Sequence, residues 1–400
     1  MAEAGAAVRA EVKAGQRLTT IDILRGLIIV IMVVDHVRDY VHISGYGVDP
    51  IDFHQSNPIL FATRWITHLC APTFIFLAGV SAWLQHVKGK DTPKLSGFLL
   101  KRGLWLIVLE LTIIGFGWNF SVPMLPFLAI MWAIGWTMIA LAGLVYLPRL
   151  VVLAVGIAII AGHNLVDGIH ADQFGQLGFL WNFLFEVKVF GAGGHPVVAL
   201  FYPVLPWVGV IAFGYGMGDV FLSPNRNRTL LLTGLGLFAL FLVLRGTNLY
   251  GDPRHWAVQA NLASSVMDFM NVAKYPPSLL YVCATLGIVL TVTPLLDRLP
   301  VKVGGFFRTI GSVPLMAYLA HLYVMHVVAI VAHLIAGKSL TGQFDTIRIV
   351  FTDPQSMNGT GLPLWTVYLC WAIVVAAIYP ICVYWSGLKR RRKDWWLSYL

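Results

Sequence analysis

The chain has 400 residues, of which 58% are hydrophobic and 12% charged, and its 28 Lys and Arg against 19 Asp and Glu give a net charge of +9. Soluble domains carry about 25% charged residues and disordered chains combine low hydrophobicity with high charge, so a mean hydropathy of +0.75 excludes both classes. The apolar runs recur from end to end, which describes a polytopic membrane protein. An all-α helical bundle is expected, because an open strand edge finds no hydrogen-bond partner in lipid.

A crossing helix needs roughly 20 mostly apolar residues. In chain order, spans are predicted near 19–41, 59–85, 98–118, 122–146, 149–168, 197–221, 229–246, 276–296, 307–336 and 362–387. That makes about ten, or eleven if 177–190 also crosses; that short segment holds Glu186 and Lys188 and reads as interfacial or re-entrant. Residues 1–17 read as a polar tail, 18–388 as one membrane domain and 389–400 as a second, basic tail. An even span count puts both termini on one side. Nineteen Lys and Arg fall on that side and seven on the other, so the positive-inside rule places both termini in the cytoplasm. The basic excess is therefore a topology signal, and no nucleic-acid partner is expected. Long connections near 42–58, 169–196, 247–275 and 337–361 lie on the opposite side, where a polar substrate could be met.

The first span is the informative one. Asp22, Arg25, Asp35 and His36 lie within or at the edges of its apolar run, and ionisable groups at membrane depth are functional candidates by default. Asp22 and Arg25 are three residues apart and can pair on one helix face. Eleven residues separate Arg25 from His36, about three turns and 16 Å, so Asp22, Arg25, Ile29, Met32 and His36 form one stripe. An imidazole deep in a span beside Asp35 suits proton transfer near neutral pH. In the second span Arg64 and His68 share a face one turn before Pro72, and Gly79 and Ser81 allow close helix approach. Further along, Glu110 sits mid-span as either a structural acid or a cavity group. Tyr318 and His321 share a face of the ninth span, Trp207 falls at a span end, and Cys70, Cys283, Cys370 and Cys382 lie in apolar runs without a CxxC pair. No metal is expected.

The ID-x-x-RG start of the first span, its His36, and the stretch HLCAPTFIFLAG from His68 to Gly79 resemble the heparan-α-glucosaminide N-acetyltransferase-like catalytic domain, within a superfamily of transmembrane acyltransferases. YPVLPWVGVIAFGYGMG from Tyr202, KYPPSLLYVCATLG from Lys274 and GSVPLMAYLAHLYVMH from Gly311 look like its bacterial branch. The resemblance implies transfer of an acyl group, acetyl above all, from cytoplasmic acyl-CoA to an amine or hydroxyl of an extracytoplasmic sugar or glycan, in a bacterial cell membrane. The spacing of Arg25 and His36 also matches that of related integral-membrane O-acyltransferases, whose His is the catalytic candidate. In the lysosomal branch the position of His36 looks like an Asn and the essential His lies in the next outer loop, where this chain has His42 and His54. The catalytic expectation is therefore His36, oriented by Asp35 or His68, with His54 as the loop candidate. Arg25, Asp22, Arg64 and Arg102 are expected at the coenzyme, and His321, Tyr318 and Trp207 at the substrate cavity. Direct transfer and transfer through an acyl-histidine both fit, a homodimer is left open, and the competing reading is a proton-coupled transporter or exporter of a small polar or anionic solute.

Overall fold

The computed structural model describes residues 18–42, 49–392 and 394–398. The expected tail over 1–17 lies outside the described residues. Among the described residues, seven helices are long and apolar enough to cross a membrane: α2 (Pro58–Val87), α5 (Arg149–Val166), α7 (Val204–Leu222), α8 (Arg226–Thr247), α10 (Leu279–Arg298), α12 (Pro314–Ile335) and α14 (Leu364–Arg391). Three more rods run where spans were expected. They are α1 (Thr19–Val41), α3 (Thr92–Leu109) with its continuation to residue 119, and the shorter α4 (Ile130–Leu144). The smaller helices are α6 (Gly178–Phe185), α9 (Leu262–Met270), α11 (Val301–Gly311) and α13 (Thr346–Thr352).

Burial sorts these rods into an inner and an outer set. α1 and α7 are buried along nearly their whole length. α8 instead turns Leu231, Leu232, Leu235, Leu242 and Val243 outward, an apolar surface that suits lipid rather than water. α1 packs against α2, α11, α12 and α14, so the helix richest in charge is among those most enclosed by protein.

Close crossings hold this arrangement. A Cβ built on Gly26 of α1 would fall 1.8 Å from the Phe307 carbonyl oxygen of α11, and one on Gly311 would fall 1.8 Å from the Asp22 carbonyl oxygen. Gly79 and Gly214 do the same for α2 and α7, at 2.1 Å from Ile211 and Phe76 carbonyl oxygens. Such backbone contact requires small residues.

Local irregularities have local causes. Pro72 has no N–H, which frees the His68 carbonyl four residues earlier; the Tyr281 hydroxyl donates to that carbonyl at 2.8 Å. α3 passes through a π turn at Glu110–Ile114. Glu110 is buried there, and its carboxylate accepts from the Met131 and Trp132 amides at 2.8 and 3.0 Å. These are otherwise unpaired donors at the start of α4, so Glu110 caps that helix through one carboxylate oxygen.

The structure corrects two details of the helical picture. A small sheet in the order β1-β3-β2 joins β1 (Phe127–Leu128), β2 (Lys188–Ala192) and β3 (His195–Leu200). Segment 177–190 is therefore not one span-length helix: it becomes α6 and the start of the first strand of a hairpin. The hairpin turn is Gly193-Gly194, both at positive φ (59° and 81°), the chemistry a two-residue type I′ turn requires. The fourth rod also begins at Ile130 rather than near 122, after β1.

Candidate active site

Two cavities lie along α1 inside the bundle. The first, about 650 Å³, opens among Lys90, Arg102, Lys389 and Arg392, and reaches inward past Arg25, Ser81, Ile29 and Met131 to Tyr318. The second, about 230 Å³, is lined by Asp35, His36, Arg38, Arg64, Trp118, Tyr202, Lys274 and Tyr275, with Asp49 and Pro50 of the α1–α2 connection. α1 runs through both: Arg25 and Ile29 face the tail-side cavity, and His36 the loop-side one. The adjacent residues Ile130 and Met131 likewise line one each.

The partition between the cavities is a cluster of rings. His36 Nδ1 lies 2.7 Å from His321 Nε2. Tyr318 packs edge-on against both imidazoles, with centroids 6.4 Å from His36 and 5.1 Å from His321. Trp118 closes the other side of His36 at 4.8 Å. His321 is fully buried, whereas His36 is half-buried.

The tail-side cavity gathers Lys90, Arg102, Lys389 and Arg392 with one acid, Asp394, at its mouth, and holds Arg25 and Ser81 among apolar residues further in. Arg25 pairs with Asp22 at 3.3 Å and also donates to Ser81 Oγ on α2. Lys90 donates to Gln85 at 2.8 Å, and its ammonium sits 3.8 Å from the centre of the Phe98 ring. Burial lowers the Lys90 pKa below its ordinary value.

The loop-side cavity is walled by a charge network. Asp35 accepts from Arg38 at 3.2 Å and from Arg64, and Arg38 also donates to Asp39 at 2.5 Å. The guanidinium groups of α1 and α2 are thereby locked through a shared buried carboxylate, which satisfies charges too costly to bury alone. Lys274 lies 5.0 Å from the Tyr275 ring centre on the same wall.

The expected site residues separate accordingly. Arg25, Arg102 and Tyr318 line the tail-side cavity, and Asp35 and His36 the loop-side one. Arg64, expected at the coenzyme with Arg25, instead faces the loop-side cavity, because Asp35 draws it across from α2. Asp22 is buried behind Arg25 and lines neither cavity. His68 does not orient His36: its Nδ1 turns back to the Arg64 carbonyl at 3.2 Å and its ring packs between Trp65 and Tyr281. Asp35 is engaged by two arginines, and the partner of His36 is His321. His54 is exposed in a turn, where its amide donates to Asp52 at 2.9 Å and its ring lies on Phe53. Trp207 is fully buried against Tyr202 and Tyr281 and lines neither cavity, standing behind Tyr202 of the loop-side wall. His326 and His333 are held by backbone carbonyls of Gly117, Gln343 and Ala329.

Lys274, Tyr275, Trp118 and Lys389 are cavity residues that sequence reasoning did not single out. Lys274 opens the KYPP stretch, and a lysine directly before aromatic and proline residues at a span start was the available signal.

No curated protein matches the chain. Residues 17–249, more than half of its length, match the family described as heparan-alpha-glucosaminide N-acetyltransferase, catalytic. With that match and a membrane bundle of apolar helices behind it, the chain belongs to the heparan-alpha-glucosaminide N-acetyltransferase catalytic family of membrane acetyltransferases.

Proposed function

We propose that the protein carries an acetyl group from cytoplasmic acetyl-CoA to an amine or hydroxyl of a sugar on the other face of the membrane, with His36 as general base. The observation that supports this best is that Tyr318 of the basic-mouthed cavity and His36 of the polar one belong to a single ring cluster with His321 between the two cavities. In this reading the positive-inside rule sets the tail-side cavity towards the cytoplasm. The basic mouth of that cavity suits the phosphates of a coenzyme, and its volume falls in the range of about 300–1,000 Å³ typical of ligand pockets. Lys90, Arg102, Lys389 and Arg392 receive the charged end, and Arg25 guides the chain inward. The thioester then lies towards Tyr318.

The acceptor enters the loop-side cavity. Its nitrogen or oxygen attacks the thioester carbonyl carbon while His36 takes its proton, the C–S bond breaks, and the departing thiolate is finally protonated. Closing the reaction between two cavities keeps bulk water from the thioester, and holding both reactants in place supplies much of the rate by orientation. The charged wall of Asp35, Arg38, Arg64 and Lys274 offers donors and acceptors for sugar hydroxyls or an amine.

Acetyl-CoA at 100 times its Kd should stabilise the purified protein by about 2.7 kcal/mol, and free acetate should not. Lys90→Gln and Arg102→Gln should each raise KM for acetyl-CoA about 3–10-fold with kcat nearly unchanged, the range for partly exposed charge contacts. A melting temperature indifferent to acetyl-CoA, together with proton-coupled solute uptake, would replace this reading with a transporter.

A further inference from the structure

The reading of His36 as base leaves open which ring nitrogen acts, and the geometry around it fixes the answer. His321 Nδ1 faces the Ala317 carbonyl oxygen of its own helix at 3.3 Å. A carbonyl can only accept, so in the neutral ring Nδ1 of His321 carries the hydrogen and Nε2 is a bare lone pair. That lone pair lies 2.7 Å from His36 Nδ1. A hydrogen bond between them then requires His36 to carry its hydrogen on Nδ1. Nε2 of His36 is left as the basic atom, on a side chain that lines the loop-side cavity.

We propose that His321 is a positioning residue, which rests on the reading of His36 as base: it selects the Nδ1-protonated tautomer of His36 and aims the Nε2 lone pair at the acceptor. His321 is suited to this because it is fully buried and lines neither cavity, so substrate does not compete for its nitrogen. The same bond stabilises the His36 imidazolium that forms when the acceptor's proton arrives, because His36 Nδ1–H still has an acceptor to point at. The Ala317 carbonyl thus acts through two imidazoles, where hydrolytic triads use a carboxylate to orient their histidine.

Two substitutions separate this role from simple packing. Gln at position 321 places an amide oxygen near the former Nε2 and can still accept from His36; Phe keeps the bulk and cannot. With acetyl-CoA and glucosamine as probes, His321→Phe should lower kcat about 10²–10⁴-fold, the scale of a general base held in the wrong tautomer, with KM for acetyl-CoA unchanged. His321→Gln should recover at least tenfold of that loss. The tautomer is read directly from the ¹⁵N spectrum of histidine-labelled protein in lipid, the His36 signals being those missing in His36→Ala. His36 should show a protonated Nδ1 and a bare Nε2 in the wild type and in His321→Gln, and lose that preference in His321→Phe. A wild-type His36 protonated on Nε2, or an unchanged His36 tautomer in His321→Phe, overturns the positioning role. Full turnover by His36→Ala would instead remove the reading of His36 as base, a separate outcome.

Discussion

Replacing His36 with Ala should abolish acetyl transfer while leaving the coenzyme bound. The side chain lines the loop-side cavity, 11 residues along α1 from Arg25 of the other cavity, so its removal spares the basic mouth. A general base contributes about 10²–10⁴-fold to rate. Turnover in His36→Ala should fall by that factor at every substrate concentration, with thermal stabilisation by acetyl-CoA retained. Loss of the imidazole also leaves the His321 nitrogen without its donor, but His321 keeps its bond to Ala317, so the helix should stand. The measurements are the initial rate of CoA release with an amino-sugar probe and the ligand-dependent melting shift. A variant that turns over at the wild-type rate is incompatible with the assignment.

The second large effect concerns folding. Val at position 26 should prevent assembly, because even a single added carbon meets the Phe307 carbonyl at 1.8 Å. The obstacle is backbone, which cannot rotate aside as a side chain can. Ordinary overpacking costs about 1–3 kcal/mol, and this crossing lies at or beyond the upper end. The same contact fixes Arg25, the preceding residue, relative to α11, so partially assembled protein should also lose coenzyme binding. Gly236 of α8 is the control: a Cβ there meets nothing within 4 Å, and Gly236→Ala should be neutral or slightly stabilising, since Gly in a helix interior costs about 0.5–1 kcal/mol relative to Ala. Yield of monodisperse protein in detergent and its melting temperature decide the matter. Equal behaviour of the two variants would show that the α1–α11 crossing is looser than described.

Hydropathy made the helical bundle legible because lipid leaves backbone few choices. The stripe on the first span was legible in part, because helix periodicity puts its residues on one face whatever surrounds them: Arg25, Ile29 and His36 line the two cavities, whereas Asp22 and Met32 of the same stripe are buried and line neither. Which residues meet across helices was not legible. His321 lies 285 positions from its partner, and nothing local to either residue announces the other. Local proximity misled in two cases. Asp35 adjoins His36 in sequence, but successive helical residues point about 100° apart, and Asp35 turns to Arg38 and Arg64. His68 shares the polar face of Arg64, yet the Arg64 carbonyl and the Trp65 and Tyr281 rings occupy it. Trp207 carries the size and polarity of a cavity residue, and packing decided otherwise. The hairpin was written plainly as Gly193-Gly194, but the apolar residues around it read as membrane.

The central claim is that the two cavities belong to opposite faces of the membrane and exchange only an acetyl group. Reconstitution in sealed vesicles with glucosamine trapped inside and radiolabelled acetyl-CoA added outside tests it, using the protein population whose basic tail faces outward. That orientation is established by protease access to the tail. Label should appear on the trapped sugar, dependent on His36, with no coenzyme inside. Label confined to glucosamine supplied on the same side as the coenzyme would contradict it.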